Sequence, residues 1–167
     1  MIGRIPKLVW LAVGLVVLDQ VTKALVHATL GLYDSRTIIP DLLNLVHVRN
    51  EGVAFGLFNA VDLPYKSVLM TGLACLALAA MGYYATLMQP HERLARLGLA
   101  CILAGAVGNL IDRVRQGYVL DFVDVYWGTW HFWAFNVADA SITVGAIFVF
   151  ADLLLVNRHV PDPVSHR

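Results

Sequence analysis

Charge is what this chain most lacks. Only 14% of its 167 residues are Asp, Glu, Lys or Arg, against about a quarter in an ordinary soluble domain. With 59% of the residues hydrophobic and a mean hydropathy of +0.69, that deficit excludes a water-soluble globule and calls for lipid around the chain. Neither sign of charge is in excess, so nothing electrostatic favours nucleic acid or an acidic polymer as partner. The expected partners lie in or beside the bilayer. Cysteine is equally scarce: Cys75 and Cys101 each sit inside an apolar run, where a disulfide would have to join two helices within the membrane, and both are read as packing residues. Also missing are the His-Glu-x-x-His pattern of zinc peptidases, a phosphate-binding glycine loop and a Gly-x-Ser-x-Gly elbow. The six histidines lack ligand spacing, so no metal or cofactor is expected.

What the sequence does have is four long apolar runs, 8–25, 68–88, 94–111 and 132–156, each near the roughly 20 residues a membrane-crossing helix needs. Arg4 and Lys7 before the first run imitate a secretory signal, but no small-residue cleavage site follows, and the run is expected to be the first span. The fold expected is an all-α integral membrane protein of four transmembrane helices, one domain over 1–167, working as a monomer. Arg4 and Lys7 at one end, His91, Arg93 and Arg96 at the second connection, and Arg158, His159, His166 and Arg167 at the other end place both termini in the cytoplasm by the positive-inside rule. Arg36, Arg49, Lys66 and Arg115 oppose them from the other side.

The outer loop 27–64 alternates over Asn44-Leu45-Val46-His47-Val48-Arg49, which predicts a short strand beside Thr37-Ile38-Ile39, and so a small outer β element. Gly52 and Gly56 punctuate Val53-Ala54-Phe55 as a bend would. The outer loop 115–131 carries Tyr118, Tyr126, Trp127 and Trp130, with Trp133 beyond, and is expected to lie along the membrane interface.

Against this apolar background the polar residues at helix ends demand an explanation: Asp19 and Lys23; Asn109, Asp112 and Arg113; Asn136 and Asp139. In the orientation above, all of them converge on the outer level of the membrane. Charge at depth costs at least a few kcal/mol, so such residues usually face the bundle interior, pair, and mark a functional site. Plainer readings stand beside that one. Asp19 and Lys23, spaced i, i+4, make an ordinary ion pair, and Asn109, Asp112 and Arg113 make a helix end or a tie between helices. Asp139 is harder to dismiss, because the run after it stays apolar to Ala151. Asp121 and Asp124 in the second outer loop both reach toward the same level, and the residues alone do not choose between them.

Two carboxylates brought together at the edge of hydrocarbon share one proton, because like charge and desolvation both oppose full ionisation. Such a dyad supplies a base to activate water and an acid to protonate the leaving nitrogen of a peptide. Ser141 with Lys23 as base is a weaker arrangement, since Ser141 has no marked partner. From other classes, a proton-coupled transporter would use Asp19, Lys23, Asp112 and Asp139 as a relay, and a non-enzymatic scaffold would use the charges for packing. A relay needs polar residues at several depths, and none follows on the inner side until Asp152.

At this point the residues resemble the lipoprotein signal peptidases of bacteria in five blocks spread over most of the chain. These are Asp19-Gln20-Val21-Thr22-Lys23; Asn50-Glu51-Gly52-Val53-Ala54-Phe55-Gly56; Gly105-Ala106-Val107-Gly108-Asn109-Leu110-Ile111-Asp112-Arg113; Val119-Leu120-Asp121-Phe122; and Phe135-Asn136-Val137-Ala138-Asp139. The resemblance implies an intramembrane aspartyl endopeptidase of the inner membrane that cuts prolipoproteins before a diacylglyceryl-modified cysteine, near the periplasmic face. Its catalytic pair falls on Asp121 and Asp139, against Asp124. Asn109 and Arg113 fall where the family holds the peptide backbone, and Asp19, Lys23, Asp112 and Asn136 on its polar framework. Asn50, Gly52 and Ala138 join the site through their blocks. Two departures are visible. Ala104 stands where a second glycine often precedes Gly105, with a slight change of helix packing expected. Ala140 follows Asp139 where serine is common, leaving Ser141 as the substitute donor.

Overall fold

A computed structural model describes residues 5–52 and 65–156. The order is α1 (Ile5–Thr29), β1 (Ser35–Ile39), β2 (Leu43–Asn50), α2 (Lys66–Leu87), α3 (Arg93–Gln116), β3 (Val119–Trp127), β4 (Trp130–His131) and α4 (Val137–Val156). Each helix is long and apolar enough to cross a membrane. The expected bend at Val53-Ala54-Phe55-Gly56 and the basic residues Arg4, Arg158, His159, His166 and Arg167 lie outside the described residues.

Helix surfaces carry bare Trp10, Val17, Leu76, Phe150 and Leu154, which only lipid can solvate without cost. The central helix is α3, packed on α1, α2 and α4. Its contact with α4 is close because small residues line both sides. A Cβ on Gly98 would strike the Gly145 carbonyl, and one on Gly105 would strike the Ala138 carbonyl. Lipid offers helices no hydrophobic drive to associate, so this backbone approach is how α3 and α4 gain their van der Waals contact. Ala104 on α3 is buried as well, 2% exposed. The seam brings Asn109 and Asp112 on α3 level with the start of α4.

Helix α1 spans Ile5–Thr29 where 8–25 was expected, and the largest other differences lie around β3. Helix α3 runs on from 111 to Gln116 and stops at Gly117, whose φ of 81° is the left-handed conformation of a C-cap and whose N–H donates to the Arg113 carbonyl at 3.0 Å. Helix α4 begins at Val137 instead of 132, because Phe135 forms a bridge with Val123 and so belongs to the sheet. The segment 115–131 folds mainly as β3 and β4, with Trp127 and Trp130 exposed on it. As for the cysteines, Cys101 is buried, whereas Cys75 is exposed on α2 instead of packed; both are free thiols.

The strands form one antiparallel sheet in the order β1-β2-β3-β4. Leu45 pairs with Val123 and Val48 with Asp121, so β2 carries one residue more than β3 between these pairs, a bulge that sharpens the local twist. Val26 of α1 packs with Leu120 and Phe122 of β3, seating the sheet on the end of the bundle where the polar residues lie.

Candidate active site

The site is organised by the start of α4. Asn136 caps that helix: its side-chain Oδ1 accepts the Asp139 N–H at 2.9 Å, and its own backbone N–H donates to Asp139 Oδ2 at 3.3 Å. This reciprocal pair is a capping box with aspartate in the acidic position. It fixes Asp139 at the helix N-terminus, where the macrodipole favours negative charge. The Asn136 side-chain amide then reaches across to β3 and donates to Asp121 Oδ1 at 2.7 Å. One fully buried asparagine thereby touches both carboxylates.

The remaining oxygens are also held. Asn50, at the end of β2, donates to Asp121 Oδ2 at 3.0 Å, and Asn109 donates to Asp139 Oδ1 at 2.8 Å. Asn50 Oδ1 accepts the Gly52 N–H, and Arg113 grips the Gly52 carbonyl at 2.9 Å, so the strand end is pinned from both sides. Asp121 sits outside the membrane-spanning helices. Burial, then the charge of Asp139, pushes its carboxyl from 3.8 up to about 7, against the pull of Asn50, Asn136 and Lys23.

Behind the two carboxylates lies a second layer of charge. The Lys23 ammonium contacts Asp19 Oδ2 and Asp112 Oδ2, each at 2.8 Å, and Asn109 Oδ1 at 3.0 Å, all of them buried. The aspartates also serve backbone. Asp19 Oδ1 accepts the N–H of Ala138, an early α4 donor that no helix carbonyl can satisfy, and Asp112 Oδ2 accepts the N–H of Leu120. Each framework aspartate thus holds the residue just before one of the paired carboxylates. Ala138, 1% exposed, has no room for a larger side chain near Gly105 and Gly108.

Asp19, Lys23, Asn109, Asp112, Arg113, Asp121, Asn136 and Asp139 are therefore brought together, whereas Asp124 bonds Asn44 and His131 elsewhere in the sheet. Asn109, expected to hold a peptide backbone, spends its side chain on Lys23, Asn136 and Asp139. The substitute role for Ser141 fails, since its hydroxyl donates to the Val137 carbonyl at 2.8 Å, one turn back in its own helix. Gln20, given no role of its own by the sequence, belongs to the site. Its amide donates to Asp112 Oδ1 at 3.0 Å and to the Gly108 carbonyl and Asp19 Oδ2, each at 3.2 Å, tying α1 to α3. Its place beside Asp19, just past the apolar stretch from Leu8 to Leu18, was the available signal.

Fold and site define a multi-pass membrane protein with a buried polar centre at one end of its helices. A family model described as Signal peptidase (SPase) II matches residues 11–155. The lipoprotein signal peptidase of Geobacter metallireducens is 44% identical over 147 residues, which are 88% of this chain and 89% of that protein. That of Solibacter usitatus is 38% identical over 164 residues, 94% and 98% of the two chains. A bacterial membrane enzyme structure obtained by the in meso method at 2.3 Å overlays with a TM-score of 0.81 at 32% identity, covering 96% of each chain. A second, at 1.9 Å, gives 0.76 at 31% identity over 90% of this chain and 94% of its own. The chain belongs to the signal peptidase II family. It is a bacterial multi-pass membrane peptidase.

Proposed function

We propose that this single-domain protein, residues 1–167, is an aspartyl endopeptidase that removes the signal peptide of prolipoproteins by cutting before a diacylglyceryl-modified cysteine. The observation that carries the catalytic assignment is the bridging of Asp121 and Asp139 by Asn136. The dyad shares one proton. The ionised carboxylate takes a proton from water, whose oxygen adds to the peptide carbonyl, while the protonated partner donates to the developing oxyanion. Collapse of the tetrahedral intermediate breaks the C–N bond as the carboxyl that took the water proton gives it to the leaving nitrogen and its partner recovers a proton from the hydroxyl, which restores the one-proton dyad. The polar framework holds both carboxylates throughout, so little reorganisation is needed as charge develops.

The site acts near the periplasmic face of the inner membrane, with both termini cytoplasmic. The substrate's acyl chains lie between helices while its extended backbone crosses the dyad, so partitioning into lipid supplies much of the binding. Rates on lipidated and unlipidated forms of one precursor, compared at equal concentration in the same vesicles, test this. The lipidated form is expected to be cut at least about tenfold faster, the equivalent of 1.4 kcal/mol; equal rates would remove the lipid from recognition.

The dyad also predicts a pH dependence. For Asp121 the fold favours the protonated form, so its contribution to stability is complete below the ordinary carboxylate range and declines as pH rises from 3.8 toward about 7. Activity needs the shared proton, and kcat/KM is therefore expected to fall as pH rises through about 7. A profile flat from neutral to alkaline pH would contradict a one-proton dyad.

A further inference from the structure

Outside the dyad, one other buried carboxylate is built into the sheet. Asp124 on β3 is paired in register with Asn44 on β2 and accepts the Asn44 amide at 3.0 Å. Thr37 on β1 donates in turn to Asn44 Oδ1 at 3.0 Å. From the other side, His131 on β4 brings Nδ1 to within 2.9 and 3.0 Å of the two Asp124 oxygens. The imidazole is half exposed and stacks on Tyr126, with ring centroids 5.2 Å apart. Strands β2 and β4 thus meet on one carboxylate of β3, with β1 backing Asn44, and that carboxylate plays no part in the chemistry above.

Its place in the chain gives the cluster a consequence. The two dyad members are joined by the excursion through β3, β4 and the start of α4, and the return limb of that excursion is zipped to the outgoing one. Phe132 N–H donates to the Val125 carbonyl at 2.8 Å, Phe135 N–H to the Val123 carbonyl at 3.0 Å, and Val123 N–H to the Phe135 carbonyl at 2.8 Å. The next residue is Asn136, whose side-chain amide donates to the Asp121 carboxylate and whose backbone N–H donates to that of Asp139. His131 stands at the head of this limb and Asn136 at its foot. The bulge between the Leu45 and Val48 pairs begins one pair along β2 from the Asn44–Asp124 pair and interrupts the β2–β3 ladder locally.

We infer that the His131–Asp124 pair, backed by Asn44, is a positioning clasp that sets the spacing of Asp121 and Asp139 by holding the β4 limb in register on β3. This rests on the dyad reading above and adds positioning residues to it. Because the clasp donates through Nδ1, asparagine is the conservative replacement, its amide nitrogen lying near that position, whereas leucine fills the space without donating.

The test is steady-state cleavage of a lipidated precursor by the full-length protein, its His131→Leu and His131→Asn variants, and Asp124→Asn, with Asp121→Asn and Asp139→Asn run beside them. His131→Leu is expected to lower kcat by about tenfold with KM little changed, as a small misplacement of reacting groups does. Its alkaline limb should move to lower pH, since Asp139 held farther away raises the Asp121 carboxyl less. A variant that was merely less folded would lose amplitude without moving the limb. His131→Asn should restore most of both properties, and Asp124→Asn should resemble His131→Leu while still cutting. Wild-type kcat and limb in His131→Leu, or equal damage from leucine and asparagine, would overturn the clasp. If Asp121→Asn or Asp139→Asn stays active, the dyad itself falls instead.

Discussion

Asp139→Asn is expected to leave a folded, membrane-inserted protein whose cleavage rate is lower by about 10²–10⁴-fold, the loss that follows removal of a general acid–base group. The substitution keeps the shape of the side chain and one carbonyl oxygen, which can still accept from Asn109 at the 2.8 Å position. The other oxygen receives the longer 3.3 Å bond from the Asn136 backbone, so an amide there gives up the weaker half of the capping box and leaves the 2.9 Å half in place. Asp121→Asn should be equally inactive but less innocent structurally. Both Asp121 oxygens accept short bonds from asparagine amides, at 2.7 and 3.0 Å, and an amide in place of either oxygen sets donor against donor. A buried mismatch of that kind costs about 1–3 kcal/mol. Asp139→Asn is accordingly the cleaner probe, with thermal unfolding beside the wild type as its control.

Lys23→Met carries the largest expected cost in stability. It leaves Asp19, 1% exposed, and Asp112, 5% exposed, as two carboxylates without their common cation. Breaking a buried ion pair by deleting one partner typically costs about 3–5 kcal/mol, most of it the penalty of the stranded charge. Activity should fall with it, because Asp19 holds the Ala138 N–H and Asp112 the Leu120 N–H, each next to a dyad member. Denaturation of the purified protein in a fixed lipid–detergent mixture measures the change. A loss below about 1 kcal/mol, the range of exposed pairs, would mean that water reaches these charges. Adding Asp19→Asn to Lys23→Met should recover part of the loss by removing one stranded charge.

Hydropathy made α1, α2 and α3 legible because a lipid-facing helix has little choice of composition, and the convergence of polar residues followed from orientation and helix length. The start of α4 was less accessible. Phe132, Trp133 and Phe135 are as apolar as a span, and only their bonds to β3 show that this stretch belongs to the sheet. Strand β3 was hidden for a related reason: Val119, Leu120 and Phe122 are all buried, so the alternation that marks a half-exposed strand is absent. Choosing Asp121 over Asp124 needed more than periodicity. Placed three apart on one strand, they lie on opposite faces, and which face meets α4 is decided by the sheet register. Gln20 escaped because one residue's offset from Asp19 rotates it off the Asp19–Lys23 face, and its value appears only when α3 is packed alongside.

The most direct measurement of the central claim is mass analysis of the products formed from a diacylglyceryl-modified prolipoprotein by the purified wild type and by folded Asp139→Asn. The account predicts scission immediately before the modified cysteine by the wild type and intact precursor with the variant. Cleavage at a comparable rate by folded Asp139→Asn would contradict it.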